Sequence, residues 1–355
     1  QLPSDANHTG RDLGAAEIQL LTEAIQTGHL TSTAGTFVPR LEKAFAAQFG
    51  VERAIACANG SAAVHTAVAA INPAPGDEII TTAVTDMGAI TAILYQGAIP
   101  VFCDIDPKTY NVTAETIAKK ITKHTKAIIV THIFGNACDM DHIMALAQQH
   151  KLPVIEDCAQ AFLATYKGRL LGTIGDIGCF SFQQGKHMTT GEGGIVVSNN
   201  KEYAQRMFYF VNKAWGYGDA KPDHYFLAPN YRLSELQGAV ACAQLAKLEG
   251  CVARRRAAAA KMDALLADLT VAEAPQVTPD SVHVYWKYAL HMHEDRLGAD
   301  MNDFAAYIRE RGVNCAPRYV VKPAFECQVI RDRVTFGNSR WPWEGPHMAG
   351  RDAIR

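Results

Sequence analysis

The sequence lacks the main features of membrane and secreted proteins. Its 355 residues contain no apolar run of about 18 residues, the length needed to cross a bilayer. The first ten residues, QLPSDANHTG, lack the apolar core of a signal peptide. Nine cysteines are scattered without a C-x-x-C pair, so we expect reduced thiols in a cytoplasmic protein. Since His132 and Asp139 do not have metal-ligand spacing, we expect no metal site.

The chain also has little net charge. Charged residues make up 20%, the formal net charge is −2, and no basic run stands out. This argues against nucleic acid as the main partner. Hydrophobic residues make up 48%, which favours a large buried core, and the length favours two domains or one large domain with an appendage.

Between residues 50 and 200, short runs rich in isoleucine and valine alternate with helical patterns. This alternation predicts βαβ units on a mainly parallel, buried sheet. The predicted strands are 53–58, 77–82, 100–105, 127–132, 153–158, 178–182 and 194–198, and the predicted helices are 61–71, 87–97, 113–121 and 139–150.

The C-terminal third has a different pattern. The stretch TVAEAPQVTPDS (270–281) contains two prolines and interrupts the helical periodicity. The predicted elements around it are helices at 201–212, 232–266 and 301–312 and a strand at 284–292. We therefore predict a large domain over residues 1–245 and a smaller α+β domain over residues 246–355.

Polar residues follow several predicted strands. The segment NGSAA (59–63), which contains Ser61, opens a helix, and the positive end of a helix suits a phosphate. Asp157 and Gln160 follow the fifth strand, and Ser181 lies on the sixth. Because ligands of parallel α/β sheets bind at the carboxyl ends of the strands, we expect these groups to share one site.

Lys186 lies between the strand at 177–183 and the turn GEGG (191–194). That turn lacks the G-x-G-x-x-G spacing and precedes a strand, so it does not predict dinucleotide binding. Taken one at a time, each group has an ordinary structural explanation. The helix start at residues 59–63 fits a helix cap, the acid fits a cap or a salt-bridge partner, and the lysine fits a solvated side chain. Together, a phosphate site, an acid and a lysine that can form an imine predict a pyridoxal phosphate (PLP) site.

Several longer stretches resemble the DegT/DnrJ/EryC1/StrS family, whose members are fold-type I PLP enzymes that mostly aminate keto sugars. The likeness covers about residues 13–325 and includes NGSAAVHTAV (59–68), LPVIEDCAQA (152–161), GKHMTTGEGGIVVSNN (185–200) and NYRLSELQGAVACAQL (230–245). The resemblance implies an α/β fold-type I transferase. Its large domain would have a mainly parallel central sheet flanked by helices, followed by a smaller α+β C-terminal domain.

The resemblance also implies roles for individual residues. Lys186 matches the Schiff-base lysine, Asp157 the acid paired with the pyridine nitrogen, and Gln160 the contact on the phenolic oxygen side of the ring. The residues implied for the phosphate are Ser61, Ser181 and Ala62 through its backbone amide.

Three further positions follow from the same resemblance. Asn230 matches a residue that reaches the phosphate site of a neighbouring subunit, which implies a homodimer. Arg232 is a candidate for the carboxylate of the amino donor, with a structural ion pair as the alternative. His187 is a candidate substrate contact, with a packing or hydrogen-bonding role as the alternative.

One segment departs from the family pattern. In TTAVTDMGAITAIL (81–94), Thr85 matches, but Asp86 occupies a position where many relatives carry an aromatic residue that stacks on the cofactor. We predict that Asp86 or Met87 covers the ring face, since the soft sulfur of methionine packs well on aromatic rings. A shifted loop is the alternative.

The resemblance predicts a PLP-dependent aminotransferase. It would move an amino group from L-glutamate or L-glutamine to a keto group of a sugar nucleotide or cyclitol. One alternative is a sugar dehydratase, although such relatives carry histidine at the position of Lys186. Another is a regulatory homologue without catalysis, which the intact Asp157, Gln160 and Lys186 disfavour.

Overall fold

The computed structural model describes residue 4 and residues 7–351. Up to residue 266, the helices are α1 (Ala15–Thr27), α2 (Phe37–Phe49), α3 (Gly60–Ile71), α4 (Met87–Tyr95), α5 (Ala114–Ala118), α6 (Met140–His150), α7 (Lys201–Val211) and α8 (Glu235–Leu266). The strands there are β1 (Arg53–Cys57), β2 (Glu78–Thr82), β3 (Ile99–Cys103), β4 (Thr125–Thr131), β5 (Val154–Asp157), β6 (Thr165–Tyr166), β7 (Arg169–Leu170), β8 (Ile177–Ser181) and β9 (Gly194–Ser198).

The C-terminal part contains shorter elements. They are β10 (Ala272–Glu273), β11 (Ser281–Val282), β12 (His291–Met292), α9 (Glu294–Leu297), α10 (Met301–Glu310) and α11 (Gln328–Arg331). Three single 3₁₀ turns lie at Ile133–Gly135, Ala324–Glu326 and Pro346–Met348. No helix among the described residues combines the length and apolar character needed to span a bilayer.

The described residues form a central sheet of seven strands in the order β1-β9-β8-β5-β4-β2-β3. Strand β9 is antiparallel to both neighbours, and the other six strands run in one direction. The carboxyl ends of β1, β2, β5 and β8 therefore meet at one edge. In parallel sheets this edge carries the ligand site.

Apolar residues cover both faces of the sheet, as the isoleucine- and valine-rich strands predict. On one face a cluster includes Phe45, Phe162 and Phe180, whose rings pack edge to face or tilted against one another. On the other face the small side chains of α3, among them Ala63 and Ala67, allow this helix to lie close to the sheet. Burial on both faces fixes the height of every strand end relative to its neighbours.

The predicted fold class is confirmed: a mainly parallel sheet flanked by helices, with short C-terminal elements. The seven predicted strands of the sheet are present, each within two residues of its predicted bounds. A single helix, α8, runs without a break through residue 245. It starts at a capping box in which Ser234 accepts from the backbone of Gln237. The division at residue 245 stays a prediction.

The strand predicted at 284–292 is wrong for most of its length. Only His291–Met292 pairs, with β10. The backbone N–H groups of Val284 and Trp286 instead donate to the carbonyl oxygens of Gly135 and Phe134, at 3.1 and 2.8 Å. These residues are apolar because they pack against the sheet edge of the large region, a contact that the local pattern could not distinguish from a strand.

Candidate active site

Lys186 lies in the turn between β8 and β9, at the carboxyl edge of the sheet. Its backbone carbonyl accepts a hydrogen bond from Nη1 of Arg11 at 2.7 Å, and its Nζ lies 4.2 Å from the ring centroid of Trp286. Burial lowers the pKa of Lys186, while the nearby carboxylates of Asp157 and Asp86 oppose that shift. A lysine with a lowered pKa supplies more of the neutral amine, which is the form that reacts with carbonyls.

Asp157 is the last residue of β5 and is buried. Its Oδ1 accepts a hydrogen bond from the backbone of Ala159 at 3.0 Å. Burial raises the pKa of Asp157, and the positive charge of Lys186 opposes the shift. A cation placed beside this carboxylate would offset the cost of its burial, so the residue fits a protonated pyridine nitrogen.

Gln160 follows Asp157 by three residues and is also buried. Its Oε1 accepts from the backbone N–H of Phe134 at 2.6 Å, and its Nε2 donates to the hydroxyl of Tyr319 at 3.5 Å. The first bond fixes the amide orientation, so that the NH₂ group points away from Phe134. An oriented amide donor beside Asp157 fits the oxygen substituent of a pyridoxal ring.

Two helix starts and Ser181 meet near the same edge. A Cβ atom built on Gly60, the first residue of α3, would lie 2.6 Å from Cβ of Ser181. A Cβ built on Gly88, in the first turn of α4, would lie 2.0 Å from Oγ of Ser61. Both glycines therefore permit close approach. Two hydroxyl groups beside two helix N-termini have the donor chemistry that a phosphate requires.

The caps of these helices occupy some of the donors. The side chain of Asn59 accepts from the backbone N–H of Ala62 at 2.8 Å, so the predicted phosphate donor is engaged in an N-cap. Asp86 accepts from the backbone N–H of Gly88 at 2.8 Å and is exposed. Met87 packs with Ala324 in a small apolar cluster. Neither contact tests whether Asp86 or Met87 covers a ring face.

Asn230 and Arg232 lie on a segment beside the start of α3. Asn230 is exposed, and its Oδ1 accepts from the backbone of Arg232 at 3.3 Å. Arg232 forms an isolated β-bridge with Cys57, at the end of β1. Its buried Nη1 has no hydrogen-bond partner within the part of the chain that the structure describes. A buried guanidinium nitrogen without a partner favours an anionic ligand.

His187 is buried, and its Nε2 donates to the backbone carbonyl of Val284 at 3.2 Å. Burial lowers the pKa of His187 to about 3, so the imidazole is neutral at physiological pH. The bond from Nε2 fits the packing alternative, whereas the buried Nδ1 has no hydrogen-bond partner among the residues that the structure describes. A direct substrate contact by His187 remains a prediction.

The structure adds residues that sequence reasoning did not place. The C-terminal part brings Trp286 and Tyr319 to the edge where Lys186 and Gln160 lie, and their rings meet edge to face at 5.4 Å. Trp286 lies in the segment that the sequence pattern predicts as a strand, so its position at this edge could not be predicted locally. No local signal distinguishes Tyr319 from other exposed tyrosines, because its role depends on a long-range contact.

His132, Glu156 and Cys158 also lie together, with potential ligand atoms within 4.8 Å of one another. The histidine and the glutamate have other partners. Nε2 of His132 donates to Glu156 at 2.9 Å, and the same carboxylate accepts from the backbone of Gly172 and Gly175. This buried network ties the end of β4 to β5 and the following loop. The absence of a metal site stays a prediction.

A lysine, a buried acid and paired helix starts at one edge of this sheet define the class of fold-type I PLP-dependent enzymes. Comparison with known proteins narrows the class. A sequence profile described as "DegT/DnrJ/EryC1/StrS aminotransferase family" matches residues 11–342. The chain therefore belongs to this family, and it is a PLP-dependent aminotransferase.

Individual relatives are similar over most of their length. The chain is 38% identical to GDP-perosamine synthase of Caulobacter vibrioides, over 79% of this chain and 76% of that protein. It is 34% identical to the spore coat polysaccharide biosynthesis protein SpsC of Bacillus subtilis, over 84% and 78%. Among solved structures, an aminotransferase from Psychrobacter cryohalolentis has a TM-score of 0.84 and 33% identity, covering 90% of this chain and 87% of that one.

Proposed function

We propose that this enzyme transfers an amino group from L-glutamate or L-glutamine to a keto group of a nucleotide-linked sugar. The observation that carries the proposal is the 38% identity to a GDP-perosamine synthase over three quarters of that protein, with Lys186 and Asp157 at the same sheet edge. A keto-cyclitol is the second candidate acceptor. It is supported by the same family motifs but by neither of the relatives described above.

The proposed roles follow from the geometry of the chain's own residues. PLP, when bound, supplies an electron-accepting ring that stabilises negative charge at the carbon bearing the amino group. Asp157 would keep a proton on the ring nitrogen, because its buried carboxylate favours a neighbouring cation. Gln160 would donate to the oxygen substituent of the ring, and Ser61 and Ser181 would hold the phosphate beside the two helix starts.

Lys186 would both hold the cofactor and move the proton. As a free, neutral amine, Nζ would accept the proton from the substrate carbon that bears the amino group and would later release it, while PLP, when bound, would supply the electron-accepting ring. The turn that carries Lys186 lies between two buried strands, and these strands hold its backbone at the carboxyl edge of the sheet. Because Lys186 lies at the edge where the other proposed cofactor contacts lie, we assign the proton transfer to its amine.

A second subunit would complete the site. Asn230 is exposed here, and the family resemblance assigns its equivalent to the phosphate of a neighbouring subunit. An amide donor would add a hydrogen bond without adding charge. A two-fold axis would make the exchange reciprocal, so we propose a homodimer. We also propose a cytoplasmic location, in line with the scattered cysteines.

The test is a substrate screen with purified full-length protein and PLP. GDP-linked and other nucleotide-linked keto sugars, and keto-cyclitols, would each be incubated with glutamate and with glutamine, and amino products would be identified by mass spectrometry. We expect an amino sugar nucleotide with at least one donor and none with Lys186→Ala. Amination of keto-cyclitols alone would show that the acceptor is a cyclitol and not a nucleotide-linked sugar. Dehydration of the substrate without amination would contradict the proposal.

A further inference from the structure

The indole ring of Trp286 contacts two lysines. Nζ of Lys186 lies 4.2 Å from the ring centroid, and Nζ of Lys287 lies 5.0 Å from it. Both distances are within the range of cation–π attraction, about 6 Å. The ring is therefore shared by the proposed Schiff-base lysine and by a second cation from the C-terminal part of the chain.

Trp286 is held in place from several directions. Its Nε1 donates to the carbonyl of Gly185 at 2.6 Å, and its backbone N–H donates to the carbonyl of Phe134 at 2.8 Å. Its own carbonyl accepts from Nη1 of Arg255 at 3.0 Å. The side chain is 7% exposed, and the edge of Tyr319 packs against it. A ring fixed in this way presents a constant face to the amine beside it.

We propose that Trp286 is a positioning residue, whose ring holds the amine of Lys186 at the sheet edge while Lys287 competes for the same ring. The attachment to Gly185 is central to this arrangement, because that residue directly precedes the lysine. The ring and the backbone that carries the amine are thereby tied together. This inference rests on the proposed role of Lys186.

The arrangement has a consequence for the charge of the amine. The carboxylates of Asp157, at the end of β5, and Asp86, at the start of α4, raise the pKa of Lys186, whereas burial and the cation of Lys287 lower it. The π face of Trp286 stabilises the protonated form. A lysine beside another cation retains more neutral amine, the form that attacks carbonyls and accepts protons.

Other polar groups complete the surroundings of the amine. Tyr319 packs edge to face with the Trp286 ring, and burial together with the carboxylates of Asp86 and Asp157 raises its pKa. Arg11 binds the backbone carbonyl of Lys186. None of the substitutions proposed below removes these groups, so their contribution stays constant across the series.

The test measures the titration of Lys186 in the full-length chain without cofactor. Competitive labelling with acetic anhydride across a range of pH, followed by peptide mass spectrometry, gives the midpoint for this amine. Trp286→Leu should lower the midpoint by about half to one pH unit, because the charged form loses the π face. Trp286→Phe keeps a ring face and should lower it less. Lys287→Met should raise it, because a like charge is removed.

Lys261→Met is the matched control. It removes the same charge from an exposed position on α8, and the Lys186 midpoint should stay within about 0.2 pH unit of wild type because exposed charges are screened. A folded Trp286→Leu chain with an unchanged midpoint would overturn the inference. A Lys287→Met chain that behaves like the control would contradict the competing role of Lys287. Where Trp286→Leu does not fold, Trp286→Phe decides the question, and a midpoint equal to that of wild type in this variant would overturn the role of Trp286.

Borohydride reduction of the wild-type enzyme with PLP separates this inference from the proposed function. Attachment of the cofactor to a lysine other than Lys186 would defeat the assignment on which both depend. Attachment to Lys186, combined with midpoints that do not move in the variants, would defeat the role of Trp286 alone.

Discussion

Two regions of the chain meet at the candidate active site, and they supply its residues in different ways. The large region supplies Asp157, Ser181 and Lys186 from the ends of buried strands. The C-terminal region supplies Trp286 and Tyr319 from irregular segments that are held by hydrogen bonds to loops of the large region. Strand ends follow from local periodicity, whereas docked loops depend on a surface that forms only after folding. We therefore expect the first group to carry the chemistry and the second to adjust it.

Removing the lysine should have the largest effect. Lys186→Ala should abolish covalent attachment of the cofactor and reduce turnover by at least about a thousandfold, since it removes the proposed nucleophile and the proposed proton carrier. Borohydride should label wild type on the peptide that contains residue 186 and should label no peptide of the variant. A variant that retained substantial turnover would show that the chemistry lies outside the strand ends.

Asp157→Asn should cause the next largest loss. An amide cannot supply the negative charge that keeps the ring nitrogen protonated, so we expect turnover to fall by about a hundredfold or more while the cofactor still binds. Asp176→Asn is the matched control, because Asp176 accepts from the backbone of Val154 at the opposite end of β5. Steady-state kinetics should show the loss of turnover in Asp157→Asn and not in Asp176→Asn. Near-native turnover in Asp157→Asn would contradict the proposed role of Asp157.

The same substitution makes a prediction about stability. Burial raises the pKa of Asp157 in the folded chain. At pH values between the ordinary pKa and this raised pKa, the folded chain therefore keeps a proton that the unfolded chain has released. Without cofactor, the free energy of unfolding of wild type should fall as pH rises through that interval. Urea unfolding at several pH values should show a weaker dependence for Asp157→Asn, and an identical dependence would contradict the effect of burial.

A smaller effect is expected from the exposed asparagine. Asn230→Ala should weaken PLP retention about tenfold, because a hydrogen bond to a charged group contributes roughly 1.5 kcal/mol. Asn199→Ala is the control, since Asn199 is also exposed and accepts a backbone N–H, from Glu52. Equilibrium dialysis measures retention, and ultracentrifugation of the holoenzyme tests the dimer. A fully active monomer would exclude a site shared between subunits.

The C-terminal region should give the smallest effect. Tyr319→Phe removes a hydrogen bond to Gln160 that is already long, at 3.5 Å, but keeps the ring contacts with Trp286 and Phe134. We expect turnover to change by only about twofold to fivefold, because a bond of this length contributes little. A loss as large as that of Asp157→Asn would break the distinction between the two regions.

The sequence by itself determined the sheet and the residues at its edge. Three of these features can be read from the sequence alone. They are the isoleucine- and valine-rich runs, the glycine at the start of α3, and the order Asp157, Ser181, Lys186 along the chain. Since strands of one direction must end at one edge, the grouping of these residues followed from topology alone. The structure confirms the strands and places these residues together at that edge.

Only the tertiary structure decided what surrounds that edge. Residues 284–286 read as a strand, yet they dock on the loop at Phe134 and carry Trp286 to the lysine. The burial of Nη1 of Arg232 likewise depends on neighbours distant in sequence. A local sequence pattern predicts whether a segment forms a helix or a strand. It does not predict which surface an irregular segment packs against, because that contact depends on the packing of the whole chain.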